Sequence, residues 1–191
     1  YKQLELFDRP NLLDKKNEKN IKIIGQVFDT YWIIEFEGSM YIVDQHAAHE
    51  KVLYERFMKI YNEQEIHTQQ ISPPIIVTLS MEEQNNLKDN IKYLEDMGYE
   101  LEEFGGEDYA IRGIPDAFSL ADPKELVMEI IDSFSEDYSK NTPESIKDRI
   151  ATMSCKAAVK GNNRMSYMEA GRLINELMDL ENPYNCPHGR P

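Results

Sequence analysis

The segment from Ile21 to Val43 most constrains the fold, because it is dense in β-branched and aromatic residues. It is interrupted only at Asp29-Thr30 and at Glu37-Gly38-Ser39, and both interruptions have the composition of turns. This spacing predicts a meander of three antiparallel strands. The third strand runs directly into Asp44, whose side chain suits the N-cap position of a helix.

A helix is predicted to follow from Gln45 to about Tyr61, since apolar residues recur there at helical spacing. His46 and Glu50 stand four residues apart, a separation that places two side chains on one face of a helix. Imidazole and carboxylate groups, with Asp44 just before them, are suitable ligands for zinc or manganese. The pattern predicts a metal-binding corner, and it is also compatible with a partly buried polar His46 beside a solvated Glu50.

The rest of the chain gives mixed strand and helix signals. Pro73-Pro74 excludes a helix, Ile75 to Leu79 has the composition of a strand, and Ser80 with Glu83 has the pattern of a capping box. A hairpin is predicted around Gly105-Gly106. The predicted later helices cover residues 80–97, 123–135, 143–160 and 166–180.

The order of these elements predicts an α+β fold of two lobes. Residues 20–62 together with 143–191 are expected to form one lobe, built from antiparallel strands and from helices of both chain ends. Residues 63–142 are expected to form a smaller, inserted α/β lobe. Residues 1–19 are polar and lack the apolar stretch of a secretory signal. We interpret them as a linker and expect the chain to be part of a larger protein.

The charge balance limits the partners that the chain can bind by itself. Its formal net charge is −14, and an acidic surface repels phosphate, whereas non-specific DNA binding depends on Lys and Arg. The apolar runs are far shorter than the roughly 18 residues of a membrane span. We therefore expect weak DNA binding by this chain alone and no membrane partner. Two cysteines without a secretory signal indicate a reducing cytoplasm.

Further residues of metal-ligand type lie near the C-terminal end. Cys186-Pro187-His188 stands in a proline-rich loop, and a thiolate and an imidazole at this spacing can hold one zinc ion. Two ligands do not complete a tetrahedral site, so Glu50 or His46 would have to contribute, which requires the two chain ends to meet. Cys155, in a predicted helix, is interpreted either as a metal ligand or as a small buried apolar residue.

Three separated motifs resemble the C-terminal domain of MutL-type mismatch-repair proteins that are endonucleases. The segment Asp44-Gln45-His46-Ala47-Ala48-His49-Glu50, with Glu55 after it, resembles the family signature DQHA-x-x-E-x-x-x-x-E. Ser154-Cys155-Lys156-Ala157-Ala158 and Cys186-Pro187-His188-Gly189-Arg190-Pro191 resemble two further motifs in the same order. With Gly25-Gln26 ahead of the second strand, the resemblance spans residues 25–191.

The resemblance implies a set of metal ligands drawn from all three motifs. The implied ligands are Asp44, His46, Glu50, Cys155, Cys186 and His188. A regulatory or structural zinc would lie on Glu50, Cys186 and His188, and the other three would help hold a second, catalytic ion, zinc or manganese. Glu50 could bridge the two ions.

The activity that the resemblance implies is nicking of DNA by a latent, homodimeric endonuclease. Paired divalent ions can activate water and stabilise charge on the attacked phosphate, which makes Asp44, His46 and Glu50 the predicted catalytic residues. ATP would act only through a further N-terminal region, because this chain carries no P-loop. The mismatch-recognition protein would be engaged through the full-length protein, in the cytoplasm at the nucleoid.

The resemblance also implies docking to the replication sliding clamp through a peptide of the inserted lobe. The segment from Gln69 to Pro74 lies at that position. The predicted clamp contacts are Gln69, Gln70, Ile71 and Pro74. Ser72 and Pro73 stand where apolar residues are expected, so the alternative interpretation is a plain linker that enters the strand at Ile75.

Two functions from different classes are compatible with these patterns. One is a metal-dependent nicking endonuclease that also dimerises through the meander and the terminal helices. The other is a non-catalytic module for dimerisation and clamp docking, with a structural zinc. An unrelated hydrolase that uses His49 or Cys155 is disfavoured, because neither residue shows the spacing of a nucleophile, a base and an orienting group.

Overall fold

The computed structural model describes residues 21–135, 142–160 and 165–180. These residues form two antiparallel sheets and five α-helices, which confirms the predicted α+β class. The strands are β1 (Lys22–Val27), β2 (Tyr31–Phe36), β3 (Ser39–Asp44), β4 (Thr68–Thr78), β5 (Glu100–Gly105) and β6 (Asp108–Pro115). The helices are α1 (Gln45–Asn62), α2 (Met81–Asp96), α3 (Pro123–Ser133), α4 (Pro143–Lys160) and α5 (Tyr167–Asp179), with a short 3-10 turn at Asp116–Phe118.

The chain divides into two compact units. Unit 1 comprises Tyr1–Val52 and Asn162–Pro191, and unit 2 comprises Leu53–Gly161. The predicted lobes differ from these units at residues 53–62 and 143–161, which belong to unit 2. The physical reason is the packing of α4 on α3, because buried residues of α4 such as Ile146 and Ile150 share one core with α3.

The predicted meander forms the sheet of unit 1, with the order β1-β2-β3. Trp32, Ile34 and Phe36 alternate along β2 and are buried, because they face α5 in two apolar clusters. The register pairs Ile33 with Ile42, so both residues lie on the opposite face of the sheet. The exposed large apolar residues of this unit are Ile24, Phe28, Tyr31, Met40 and Ile42 in the strands and their turns, and Tyr167 and Met168 at the start of α5.

The sheet of unit 2 has the order β4-β6-β5, and α2, α3 and α4 complete its core. Its first strand is longer than the predicted segment from Ile75 to Leu79. Gln69 and Gln70 pair with Ile114 and Gly113 of β6, and a register shift separates this part from Ile75. The interpretation of residues 69–74 as a plain linker is therefore wrong. Two prolines are tolerated here because β4 is an edge strand.

The predicted turns and helix ends are confirmed in both units. β5 and β6 pair as a hairpin, and Gly105 and Gly106 have φ values of 117° and 61°. Such a backbone favours glycine. Capping boxes begin α2 at Ser80 and α5 at Ser166. Within the described ranges, no helix is long and apolar enough to cross a membrane.

Candidate metal centre at the start of helix α1

The predicted corner between β3 and α1 is present, and Asp44 caps the helix. Asp44 Oδ1 accepts hydrogen bonds from the backbone amides of His46 at 2.9 Å and of Ala47 at 3.2 Å. A carboxylate is electrostatically favourable at this position because the helix dipole is positive there. These bonds use Oδ1, so Oδ2 is the oxygen that could coordinate a cation.

His46 and Glu50 lie in the first turns of α1, and both side chains are half-buried. The helix is continuous through both residues, so the separation of four places them on one face, as predicted. Half-buried imidazole and carboxylate groups can coordinate an ion while that ion keeps access to solvent. Three of the six predicted ligands therefore lie within seven residues of one another at this corner, but their side chains do not group closely enough to hold a metal ion.

Gln45 is a site residue that the sequence reasoning missed. It is only 1% exposed, and its Oε1 accepts hydrogen bonds from Gln26 Nε2 at 2.8 Å and from Trp32 Nε1 at 3.1 Å. Its backbone amide also donates to the Thr30 carbonyl at 2.9 Å. Gln45 therefore fixes the start of α1 against β1 and β2. The available signal was the single tryptophan, because a buried indole N–H needs an acceptor.

His49 takes part in a different surface of α1. It lines a cavity of about 180 Å³ in unit 1, together with charged residues of α5, among them Glu169, Arg172 and Glu176. Serine, threonine and cysteine are not among the residues that line this cavity. The lining therefore offers no hydroxyl or thiol nucleophile for a hydrolase based on His49.

Cys155 lies on α4 in unit 2 and is 1% exposed. It belongs to the large apolar core of this unit, a position that suits a small apolar residue. The neighbouring Ser154 is buried and lies 2.5 Å from the hydroxyl of Tyr99. Burial raises the pKa of Tyr99, while the hydrogen bond with Ser154 acts in the opposite direction, and the hydroxyl stays protonated at neutral pH.

The half-buried Tyr54 hydroxyl is also close to this part of α4. It donates a hydrogen bond to the Asp148 carboxylate. Burial, followed by this hydrogen bond and the negative charge of Asp148, raises the pKa of Tyr54. Tyr54 therefore acts as a hydrogen-bond donor and not as an anion at neutral pH.

The residues that could hold a metal are distributed over three parts of the chain. Asp44, His46 and Glu50 lie in unit 1, Cys155 lies in unit 2, and Cys186 and His188 fall outside the described residues. In the described part of the chain, no three His, Cys, Asp or Glu side chains group closely enough to hold a metal ion. The donor chemistry of the α1 corner suits zinc or manganese, but this corner supplies only part of a ligand set.

Part of the segment predicted to bind the clamp makes contacts within unit 2. Gln69 and Gln70 are exposed, and Gln70 Nε2 donates to Glu100 Oε1 at 2.9 Å. Ile71 and Pro74 are half-buried, and Ile71 packs against the core. An exposed edge strand can be extended by a partner peptide. Gln69 and Gln70 are both exposed in this edge strand, and the Gln70 side chain is already hydrogen-bonded to Glu100.

The acidic stretch between residues 82 and 108 lies largely on the surface of unit 2. Exposed ion pairs join Lys88 with Glu103, at 3.2 Å, and Arg112 with Glu102. Such pairs neutralise only two of the carboxylates and stabilise the fold weakly. The described surface of unit 2 between these residues is therefore predominantly acidic.

Comparison with known proteins identifies the family of this chain. The family model described as the MutL C-terminal dimerisation domain matches residues 24–165. The DNA mismatch repair protein MutL of Agathobacter rectalis is 50% identical over 179 residues, which cover 94% of this chain and 28% of that protein. The corresponding protein of Clostridium beijerinckii is 38% identical over 171 residues, covering 90% and 26%.

A third MutL, from Thermoanaerobacter pseudethanolicus, is 37% identical over 176 residues, covering 92% of this chain and 28% of the relative. The chain thus spans little more than a quarter of the length of these relatives. The family match covers most of the sheet and helix elements described above. The resemblance to the MutL C-terminal domain is therefore confirmed, and the chain belongs to the MutL family of DNA mismatch-repair proteins, within its C-terminal dimerisation domain.

Proposed function

We propose that this chain is the metal-dependent nicking endonuclease domain of a MutL homodimer. The observation that carries the proposal is the corner at which β3 meets α1. Asp44 is oriented there by two backbone amides, and His46 and Glu50 follow on one face of the helix. Asp44 and His46, with Cys155, would hold the catalytic ion, and Glu50, Cys186 and His188 would hold a zinc ion.

The residues of the corner prepare the site for phosphodiester hydrolysis. Divalent ions bound there would activate water and stabilise charge on the attacked phosphate. The N-cap bonds hold the Asp44 carboxylate in one orientation, and Gln45 prevents the helix start from shifting against the sheet. His46 supplies a half-buried imidazole beside them. Fixed ligands of this kind reduce the reorganisation that the reaction requires.

The negative charge of the domain requires that other components bring DNA to it. We propose that the sliding clamp, the mismatch-recognition protein and an ATP-binding N-terminal region supply this function in the cytoplasm. The clamp would dock on the β4 edge at Gln69. In a Gln69→Ala variant we expect clamp-stimulated nicking to be lost while nicking without the clamp persists. Equal stimulation of the variant and the wild type would remove Gln69 from the interface.

The nicking activity is tested by Asp44→Asn in the full-length protein. Supercoiled plasmid, manganese and sliding clamp should yield relaxed circles with the wild type and only background with the variant. Asparagine is also a good N-cap residue, so the substitution removes the charge and keeps the helix start. The matched control is Asp122→Asn, because Asp122 caps α3 of unit 2 through the amides of Lys124 and Glu125.

Retained nicking in the control together with loss in Asp44→Asn would support the endonuclease. A wild type that yields no more relaxed circles than Asp44→Asn would contradict it. The proposal would then give way to the second candidate, a non-catalytic dimerisation and clamp-docking module with a structural zinc. Two observations favour that candidate: the described residues contain no cluster of three ligands, and Cys155 lies in an apolar core.

Bound zinc tests the ligand assignment separately from catalysis. We expect Cys186→Ser and His188→Ala to lower zinc to near background in elemental analysis, because each removes one of few strong donors. His67→Ala is the matched control, since His67 is exposed in unit 2. Zinc content that is unchanged in both loop variants would remove these residues from the site.

We further propose that the exposed face of β2 and β3 contributes to the homodimer. Met40 and Ile42 are 67% and 63% exposed on this face, and large apolar patches on a surface commonly mark an interface. Ile42→Glu should weaken dimerisation about tenfold or more in sedimentation equilibrium, a change of ~1.4 kcal/mol. Leu120→Glu is the control, because Leu120 is a fully exposed residue of unit 2. Equal affinities of the two variants would exclude this face.

A further inference from the structure

A short chain of buried hydrogen bonds in unit 2 ends beside Cys155. The hydroxyl of Tyr99 lies 2.5 Å from Ser154 Oγ, and Ser154 Oγ donates to the Ile150 carbonyl at 2.6 Å. A serine hydroxyl carries one proton, and here that proton is directed to Ile150. Tyr99 is therefore the donor to Ser154, and the bonds run in one direction from Tyr99 to the backbone of α4.

The other end of this chain is fixed to the first residue of β4. Tyr99 follows Gly98, whose carbonyl accepts a hydrogen bond from Thr68 Oγ1 at 2.9 Å. Gly98 has a φ of 87°, and a Cβ added there would come within 2.5 Å of a methyl carbon of Ile66. A glycine is required at this position for both reasons. The backbone that carries Tyr99 is thus clamped against the segment that begins β4.

We propose that Tyr99 is a positioning residue for Cys155, which links the start of β4 to the turn of α4 that carries the thiol. Ser154 precedes Cys155 directly, and the side chains of both residues are buried. A bond to Ser154 therefore restrains the backbone turn from which the Cys155 thiol projects. The proposal rests on the proposed function only where it treats Cys155 as a metal ligand.

The burial of the three partners makes this restraint effective. Tyr99 is 1% and Ser154 0% exposed, so water cannot replace a bond that is lost. Consecutive hydrogen bonds also polarise each other, which strengthens the chain as a whole. If the Tyr99 hydroxyl is removed, Ser154 Oγ loses its donor while it remains buried, and the turn at Cys155 opens more often.

The rate of Cys155 alkylation in the metal-free protein measures this opening. Iodoacetamide labelling resolved by peptide mass spectrometry distinguishes Cys155 from Cys186. We expect Tyr99→Phe to accelerate labelling of Cys155 about five- to tenfold, the change that follows from one lost buried hydrogen bond. Tyr109→Phe is the matched control, because Tyr109 is also buried in unit 2 but its hydroxyl donates to the exposed Glu103 at 3.3 Å. We expect its labelling rate to stay within about twofold of the wild type, since a weak surface bond contributes little.

Hydrogen exchange distinguishes positioning from a general loss of stability. With Tyr99→Phe, exchange in peptides of α3 should rise less than labelling of Cys155, because α3 does not take part in the chain of bonds. A parallel rise of both, or no change at Cys155, would overturn the proposal. Ser154→Ala should reproduce the effect, and Tyr99→Phe with Ser154→Ala should add little to either single variant. Full additivity of the two substitutions would equally overturn it.

Thr68→Val tests the link to β4. It should accelerate Cys155 labelling less than Tyr99→Phe does, and it should have no further effect once Tyr99 is Phe. An unchanged rate in Thr68→Val would overturn the connection to β4. Metal content of Cys155→Ser is measured separately: full retention of metal would contradict the ligand assignment in the proposed function, while the labelling results would still decide the role of Tyr99.

Discussion

The two units of this chain differ in how their interiors are built. Among the described residues, unit 2 has one continuous core of 21 buried residues, whereas unit 1 has two clusters of seven and four. Unit 1 compensates with a buried polar contact, in which Gln45 accepts hydrogen bonds from Gln26 and Trp32. It also exposes the apolar residues Met40 and Ile42.

This difference separates a unit with a large apolar core from a unit that carries the predicted metal ligands of α1. The large apolar core favours stability in unit 2, because the free energy of burial grows with the apolar area removed from water. The smaller unit 1 carries the corner predicted to bind metal and the exposed apolar face, and association of two copies would bury further apolar surface there. The family to which the chain belongs is a family of dimerisation domains, which agrees with an open face on this unit.

The largest expected effect comes from truncating the two interiors in parallel. Ile34→Ala in unit 1 and Ile130→Ala in unit 2 both change a residue with 0% exposure. Each should lower the free energy of unfolding by ~2–5 kcal/mol, because a cavity remains after the loss of the side chain. Hydrogen exchange by mass spectrometry should show the loss of protection mainly in the unit that carries the substitution.

Fluorescence gives an independent measurement for this pair. Trp32 is the only tryptophan and is buried in unit 1, so its emission follows the unfolding of that unit. Ile34→Ala should shift the denaturant midpoint of this signal more than Ile130→Ala does. Equal shifts, together with equal loss of protection in both units, would show that the two interiors are one cooperative structure, which is contrary to the comparison.

Features set by neighbouring residues were predictable from the sequence, and features set by distant ones were not. The N-cap at Asp44 and the capping box at Ser80 depend on groups within three residues, so their side chains alone indicated them. The length of β4 depends on pairing of Gln69 with Ile114, 45 positions away, and prolines obscured it. Likewise, the packing of α4 on α3 joins two helices from different predicted lobes, and no local pattern in the sequence indicates that contact.

The candidate site followed the same rule. The spacing of His46 and Glu50 fixed their common face, because a helix has a regular period. The role of Gln45 was hidden, since its partners Gln26 and Trp32 come from two other strands. Whether the metal ligands from the separate parts of the chain meet is a prediction that the zinc measurements test.

A smaller effect is expected from Gln45→Leu, which tests whether the polar contact replaces missing core in unit 1. Leucine leaves the Trp32 indole N–H buried without its acceptor, so the free energy of unfolding should fall by ~1–3 kcal/mol. Trp32→Phe removes the indole N–H that donates this bond. The double variant, Gln45→Leu with Trp32→Phe, should lose no more stability than the two single variants lose together. Denaturation followed by circular dichroism measures all three variants.

The contact would be shown to be unimportant if Gln45→Leu left the midpoint unchanged. The expectation would also be contradicted if the double variant lost more free energy of unfolding than the two single variants together. Replacing both partners of a buried hydrogen bond by apolar groups is close to neutral. If hydrogen exchange showed loss of protection only in the strands of unit 1 and in α1, the polar contact would be a feature that stabilises unit 1 alone.

The smallest effect concerns the matched capping boxes of the two units. Ser166 begins α5 in unit 1, and Ser80 begins α2 in unit 2. Alanine at either position should cost about 1 kcal/mol, the typical effect of removing an N-cap side chain. Thermal unfolding followed by Trp32 fluorescence should detect the effect of Ser166→Ala. The effect of Ser80→Ala should appear only as faster hydrogen exchange in peptides of unit 2.

The same boxes predict that the stability of the wild type depends on pH in a way that glutamine variants at Glu83 or Glu169 do not share. Hydrogen bonds from Ser80 lower the pKa of Glu83, and hydrogen bonds from Ser166, first from its backbone amide, lower the pKa of Glu169. A carboxyl whose pKa is lowered by folding stabilises the folded state above its unfolded pKa of roughly 4.3. That contribution is lost as the pH falls through the folded pKa.

Glutamine can also occupy this position of a capping box but does not titrate. The stability difference between wild type and Glu83→Gln, or Glu169→Gln, should therefore favour the wild type at pH 7 and narrow below about pH 4. If the stability difference stayed constant through this pH range, the negative charge of Glu83 and Glu169 would not contribute to the stability of the two helix starts.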